Sequence, residues 1–248
     1  YGAFALVGVI GGFLSGLFGV GGGFIIVPLL TLLVGFTLKQ AAATSLAAIS
    51  LTSIAGVIGY STTGGVVWLA ALILAAGSSV GSYFGARLLH VLPTDLLTWI
   101  YVGLLVVLGI RLFFATDGAA SGVAPAITPW EVLLLVILGL VSGVLAGLFG
   151  VGGGVMVVPI LIVFLGFPSF LAKGTSLVML IPASIIGTSV NLRHRIFDLK
   201  PALIIGLIAA AVSYGGVAVA RVVPEWLSNG LFAVLILFTA AQFSIRTF

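Results

Sequence analysis

Two glycine runs are the residues of this chain best suited to hold a ligand: Gly19-Val20-Gly21-Gly22-Gly23 and Gly150-Val151-Gly152-Gly153-Gly154. Consecutive glycines carry no side chains and reach backbone angles that a helix forbids, so each run should break a helix. The amides freed at Gly21, Gly22 and Gly23, and at Gly152, Gly153 and Gly154, then open the next apolar segments, Phe24–Phe36 and Val155–Phe167. Such a helix start offers convergent donors and a partial positive charge, which suits an anion. Close helix packing would also explain one glycine run. Two runs, each followed at the same distance by Val-Pro (Val27-Pro28, Val158-Pro159), favour a paired site. A nucleotide loop is excluded by context: no Gly-Lys-Ser/Thr follows and no acidic ribose partner lies downstream.

The next candidates are hydroxyls. Thr44-Ser45 and Thr175-Ser176 occupy matching places on the segment after each glycine break. They can donate to an anion oxygen without burying a charge, or simply bond back to their own helix. Asn191 is an unmatched polar residue placed to line a pathway, and Ser53 and Ser184 match one another. Lys173 precedes Thr175 by two positions, but its counterpart is Ala42; it is expected to snorkel to the interface. Asp95, Asp117, Glu131, Asp198 and Glu225 all fall at expected helix ends or loops, which argues against a buried carboxylate as proton relay. Without fixed cations in the spans, the donors to an anion are expected to be neutral.

What must position these groups follows from composition. Of 248 residues 62% are hydrophobic and 6% charged, against roughly a quarter charged in soluble domains. Runs such as Val66–Leu89, Leu96–Phe114, Val132–Phe149 and Ala202–Ala220 approach or exceed the ~20 residues of a membrane span. They lack the two-residue alternation of a β-barrel. The class is all-α and polytopic, in contact with the lipid bilayer, with the inner (plasma) membrane as expected location. A net charge of +4 with no basic stripe gives no nucleic-acid footprint. With no cysteine, and with His90 and His194 far apart, neither a metal nor another cofactor is expected. No acid–base pair or Ser/His dyad sits within a span, so an enzyme is disfavoured.

A shift of 131 residues aligns Leu14–Gly23 with Leu145–Gly154 at nine of ten positions. Without a gap it also pairs Gly35-Phe36 with Gly166-Phe167, Thr44-Ser45-Leu46 with Thr175-Ser176-Leu177, and Ser82-Tyr83 with Ser213-Tyr214. The chain is therefore a tandem duplication within one transmembrane domain: repeat 1 (1–114), a linker (115–130) and repeat 2 (131–248). Helical segments are expected at 2–19, 24–36, 40–62, 66–91 and 94–114, then at 131–150, 155–167, 170–192, 199–222 and 225–246. The short pieces after the glycines read as half-helices. Loop charge favours inverted halves, with Lys39, Arg87, Arg193, Arg195, Lys200 and Arg246 inside and Arg111, Lys173 and Arg221 outside.

The doubled pattern Leu-x-Gly-Leu-Phe-Gly-Val-Gly-Gly-Gly-x-x-x-Val-Pro, followed by Ala-x-x-Thr-Ser-Leu, resembles the sulfite exporter TauE/SafE family over nearly the whole chain. The resemblance implies a secondary transporter of sulfite, sulfoacetate or related sulfur anions, usually outward. An anion channel and a non-transporting membrane subunit are the competing readings. Lys173, Asn191 and Arg193 stand where the first half has Ala42, Tyr60 and Thr62, so the half-sites should contribute unequally.

Overall fold

A computed structural model describes residues 2–89, 91, 99, 102, 103, 106, 107, 109, 110, 127–194 and 197–246. The first half contains α1 (Gly2–Phe18), α2 (Gly23–Leu29, extended by a π-helical turn Leu30–Val34), α3 (Leu38–Ser61) and α4 (Trp68–Leu88). The second contains α5 (Pro129–Phe149), α6 (Gly154–Val163), α7 (Ser169–Arg193), α8 (Leu199–Val222) and α9 (Glu225–Arg246). Among the described residues there are no strands. Six of these helices, α3, α4, α5, α7, α8 and α9, are long and apolar enough to cross a membrane. Most of the helix expected over 94–114 and of the linker, with His90, Asp95, Arg111, Asp117 and Arg195, lie outside the described residues.

Local chemistry sets the helix starts. Thr37 and Gln40 form a reciprocal capping box at the head of α3, and Thr128 and Glu131 form another at α5, where Pro129 occupies the first turn. The half-helices α2 and α6 begin one residue earlier than the sequence predicts and stop at Val34 and Val163, before Gly35 and Gly166. Both of those glycines hold positive φ, 75° and 66°.

Small residues decide the packing. A Cβ on Gly12 would fall 2.3 Å from the Ala209 carbonyl oxygen, and one on Gly16 would fall 2.0 Å from that of Ser213. The same relation recurs between α5 and α4: Gly143 sits on Ser78 (2.3 Å) and Gly147 on Ser82 (2.6 Å). Residue numbers rise together in both pairs, so α1 runs parallel to α8, and α5 runs parallel to α4. Gly59 on Val217 and Gly206 on Ala48 make α3 parallel to α8. Ser78 and Ser82 donate to the carbonyls of Met179 (3.2 Å) and Ala183 (2.6 Å), which aligns α4 with α7. By contrast Gly56 meets Leu177 while Gly187 meets Leu46, so α3 and α7 cross in opposite directions. Gly12–Ala209 and Gly143–Ser78, Gly16–Ser213 and Gly147–Ser82, and Gly56–Leu177 and Gly187–Leu46 are pairs of contacts displaced by the repeat spacing in both residues.

Candidate functional site

Each glycine run folds its helix back on itself. After α1 ends, a Cβ at Gly22 would lie 2.4 Å from the Gly11 carbonyl oxygen, and Phe36 returns to Phe4 with ring centroids 6.2 Å apart. The turn needs glycine, because Gly19, Gly21 and Gly22 have φ of 70°, 76° and 76°, and Gly150 and Gly152 have 62° and 81°. Gly153 departs from its counterpart Gly22, with φ of −61°.

The two tips meet. A Cβ on Gly23 would fall 2.5 Å from the carbonyl oxygen of Gly150, and one on Gly154 would fall 2.7 Å from Val20 Cα. Ile49 and Leu180, themselves counterparts, close over the crossing, 2.9 and 2.8 Å from the Cβ position of Gly21. Among the described residues, the first recorded amide donors of α2 and α6 are Ile25 to Gly22 (3.1 Å) and Met156 to Gly153 (3.1 Å). The amides of Gly23, Phe24, Gly154 and Val155 are the spare donors that a broken helix leaves.

Of the four predicted hydroxyls, those of Ser45 and Ser176 reach these tips, and three of the four are occupied. Ser45 Oγ donates to the Gly150 carbonyl at 2.7 Å, and Ser176 Oγ donates to the carbonyls of Gly19 and, at 2.9 Å, Lys173. Thr175 Oγ1 accepts from the Val67 amide at 3.0 Å. Among the described residues, Thr44 Oγ1 is fully buried with no hydrogen-bond partner. Asn191 is likewise fully buried, and both its side-chain amide atoms lack partners. Of the matched serines, Ser53 Oγ has no partner, whereas Ser184 bonds back to Ile181.

Lys173 corrects one expectation. It does not snorkel to the interface: the residue is 2% exposed, and its Nζ donates to Ser228 Oγ at 2.5 Å. Its main chain lies against the first tip, with its Cα 2.5 Å from the Cβ position of Gly19. An amine able to carry a positive charge is thus present inside the bundle. Tyr60 was not among the candidate site residues read from the motifs. Its hydroxyl donates to the Gly16 carbonyl at 2.7 Å and its ring packs on Phe170, centroids 4.8 Å apart. The repeat alignment was the signal for it, because Tyr60 is the counterpart of Asn191.

Residues 1–112 and 134–248 match the sulfite exporter TauE/SafE family. The chain belongs to that family. This TauE/SafE protein is 33% identical over 186 residues to the probable membrane transporter protein YdhB of Bacillus subtilis, covering 73% of each chain. It is 30% identical over 193 residues to a probable membrane transporter protein of Xylella fastidiosa, covering 75% of this chain and 72% of the relative. No solved structure matches it. The TauE/SafE protein is a multi-pass membrane transporter.

Proposed function

We propose that this TauE/SafE protein is a secondary transporter that exports small sulfur-containing anions, such as sulfite, sulfoacetate or other organosulfonates, across the inner (plasma) membrane. The observation that carries the reading is the meeting of the two glycine tips, Gly23 against Gly150 and Gly154 against Val20. It gathers the spare amides at the starts of α2 and α6 in one buried place, and such half-helix starts compensate an anion in other transporter folds. On this reading the substrate is held by amides at Gly21, Gly22, Gly23, Gly152, Gly153 and Gly154. Hydroxyls of Thr44, Ser45, Thr175 and Ser176 line the same place, and Asn191 lies on the pathway.

The arrangement also supports alternating access. Helices α1 and α5 are counterparts, yet α1 runs with α3 and α8 while α5 runs with α4 and α7. Such opposed directions support repeats inverted about an axis in the membrane plane, with the tips near mid-depth. Rocking one repeat against the other would then open the tips to either side in turn. Because Ser45 and Ser176 bond across the tips in the described state, that state corresponds to an occluded conformation in which the donors are turned inward.

Flux of labelled sulfite in proteoliposomes tests the reading. A carrier saturates and exchanges internal for external anion. Non-saturating flux would assign the protein to channels, and no flux of any sulfur anion would leave a non-transporting subunit.

A further inference from the structure

Resting on the anion-transport reading above, we infer that Lys173 supplies the fixed positive charge of the substrate site, with Ser228 and Asn229 of α9 as its polar companions. The sequence points away from this, since the first half has Ala42 in the equivalent place.

Three observations lead to it. First, the ammonium is deeply buried yet poorly compensated. It has three hydrogens to donate, and among the described residues one bond is formed, to Ser228. A cation inside a membrane bundle is costly unless partnered, and such residues mark substrate and ion pathways. Second, the surroundings are polar where a lipid-facing seam would be apolar. Ser169, Ser228 and Asn229 are buried beside it at 2%, 2% and 6% exposure, and Ser169 Oγ donates to Asn229 Oδ1 at 2.9 Å. Third, the lysine is continuous with the glycine crossing: its carbonyl accepts from Ser176, whose hydroxyl also caps Gly19. Four rotatable bonds carry the ammonium from that tip to α9, so a charge at either place is within one side chain's reach.

The missing partner is therefore anionic, small enough for a buried site and rich in acceptors. A sulfur oxyanion offers three oxygens to the two spare N–H groups and to nearby hydroxyls. A tether between α7 and α9 is the competing account of the Lys173–Ser228 bond, and it makes no use of an anion.

The test is ligand-dependent thermal stability of the purified full chain, titrated with sulfite, sulfoacetate and sulfate at constant ionic strength, paired with sulfite flux in proteoliposomes. Lys173→Met keeps the length and removes the charge, a change that a buried site often tolerates or gains from. It should weaken anion affinity by roughly tenfold or more, as expected for a lost charge-assisted hydrogen bond. Lys173→Arg should retain part of that affinity, and Lys200→Met, on an exposed residue, should leave it unchanged. Equal anion affinity in Lys173→Met and the unmodified protein overturns the inference, as does an unmodified protein that binds none of the three anions. If Lys173→Met fails to fold, Lys173→Gln and Ser228→Ala take its place, and wild-type affinity in both overturns it too. Lys173-dependent binding without sulfite flux would uphold the site and sink the transport reading. Saturable sulfite flux that is indifferent to Lys173 would do the reverse.

Discussion

Ser45 donates its hydroxyl to the Gly150 carbonyl at 2.7 Å, tying a helix of the first half to the glycine tip of the second. Ser176 repeats the bond on Gly19 in the other direction. Each tip is therefore latched by the half it does not belong to, and a motion that separates the tips must break both latches. Replacing either serine by alanine leaves a buried carbonyl without this donor, at about 1–3 kcal/mol.

From this follows the first prediction. Ser45→Ala and Ser176→Ala should each lower the thermal midpoint of purified protein by a few degrees, in line with the loss of one buried bond. The double variant should lose more than either. Midpoints unchanged in both single variants would show that the latches are idle, and differential scanning fluorimetry in detergent reads this directly.

A second prediction separates glycines that packing requires from those it does not. Gly16→Ala puts a methyl 2.0 Å from the Ser213 carbonyl oxygen and forces α1 away from α8. Gly215, two residues beyond Ser213 on α8, would meet nothing within 4 Å. Expression and monodispersity should fall for Gly16→Ala. Gly215→Ala should be neutral or stabilise by up to about 1 kcal/mol, the helix propensity gap between glycine and alanine. Equal behaviour of the two would contradict the parallel α1–α8 seam.

Much of this was legible in the sequence, for a physical reason. Glycine runs break helices wherever they occur, so the ends of α1 and α5 and the starts of α2 and α6 could be read within a residue. The repeat then fixed which segments are counterparts. Pairings between halves were not legible. Ser45 finds Gly150 and Thr175 finds Val67 across more than a hundred residues, and nothing local to either hydroxyl encodes the partner. Lys173 was misplaced for the same reason. Its position near a helix start and its Ala42 counterpart both favour an interfacial residue, while Ser228, which buries it, belongs to α9.

Orientation gives a third prediction. Arg193 at the end of α7, His194 after it and Lys200 at the start of α8 are exposed, and Arg195 adds a further positive charge to the same segment of sequence. Loops rich in arginine and lysine are retained in the cytoplasm. His194→Cys, in a chain without native cysteine, should resist an impermeant maleimide in intact cells and react in inverted vesicles. Reaction from outside intact cells would reverse the assignment.

The last prediction uses the unequal fate of two matched threonines. Thr175 Oγ1 accepts from the Val67 amide at 3.0 Å, whereas Thr44 Oγ1 is buried with no partner among the described residues. Valine is nearly the same shape as threonine and differs in lacking the hydroxyl. Thr175→Val should therefore orphan the Val67 amide and destabilise the resting protein by about 1–3 kcal/mol. Thr44→Val instead removes a buried hydroxyl that is unsatisfied, which should leave the resting protein as stable or more so. If that hydroxyl exists to meet the substrate, as proposed, Thr44→Val should weaken sulfite affinity roughly five-fold to a hundred-fold while the fold holds. Thermal midpoints and saturation curves of both variants, measured side by side, decide it. A stable Thr44→Val protein with wild-type half-saturation would make Thr44 a packing residue and would shift the substrate hydroxyls elsewhere.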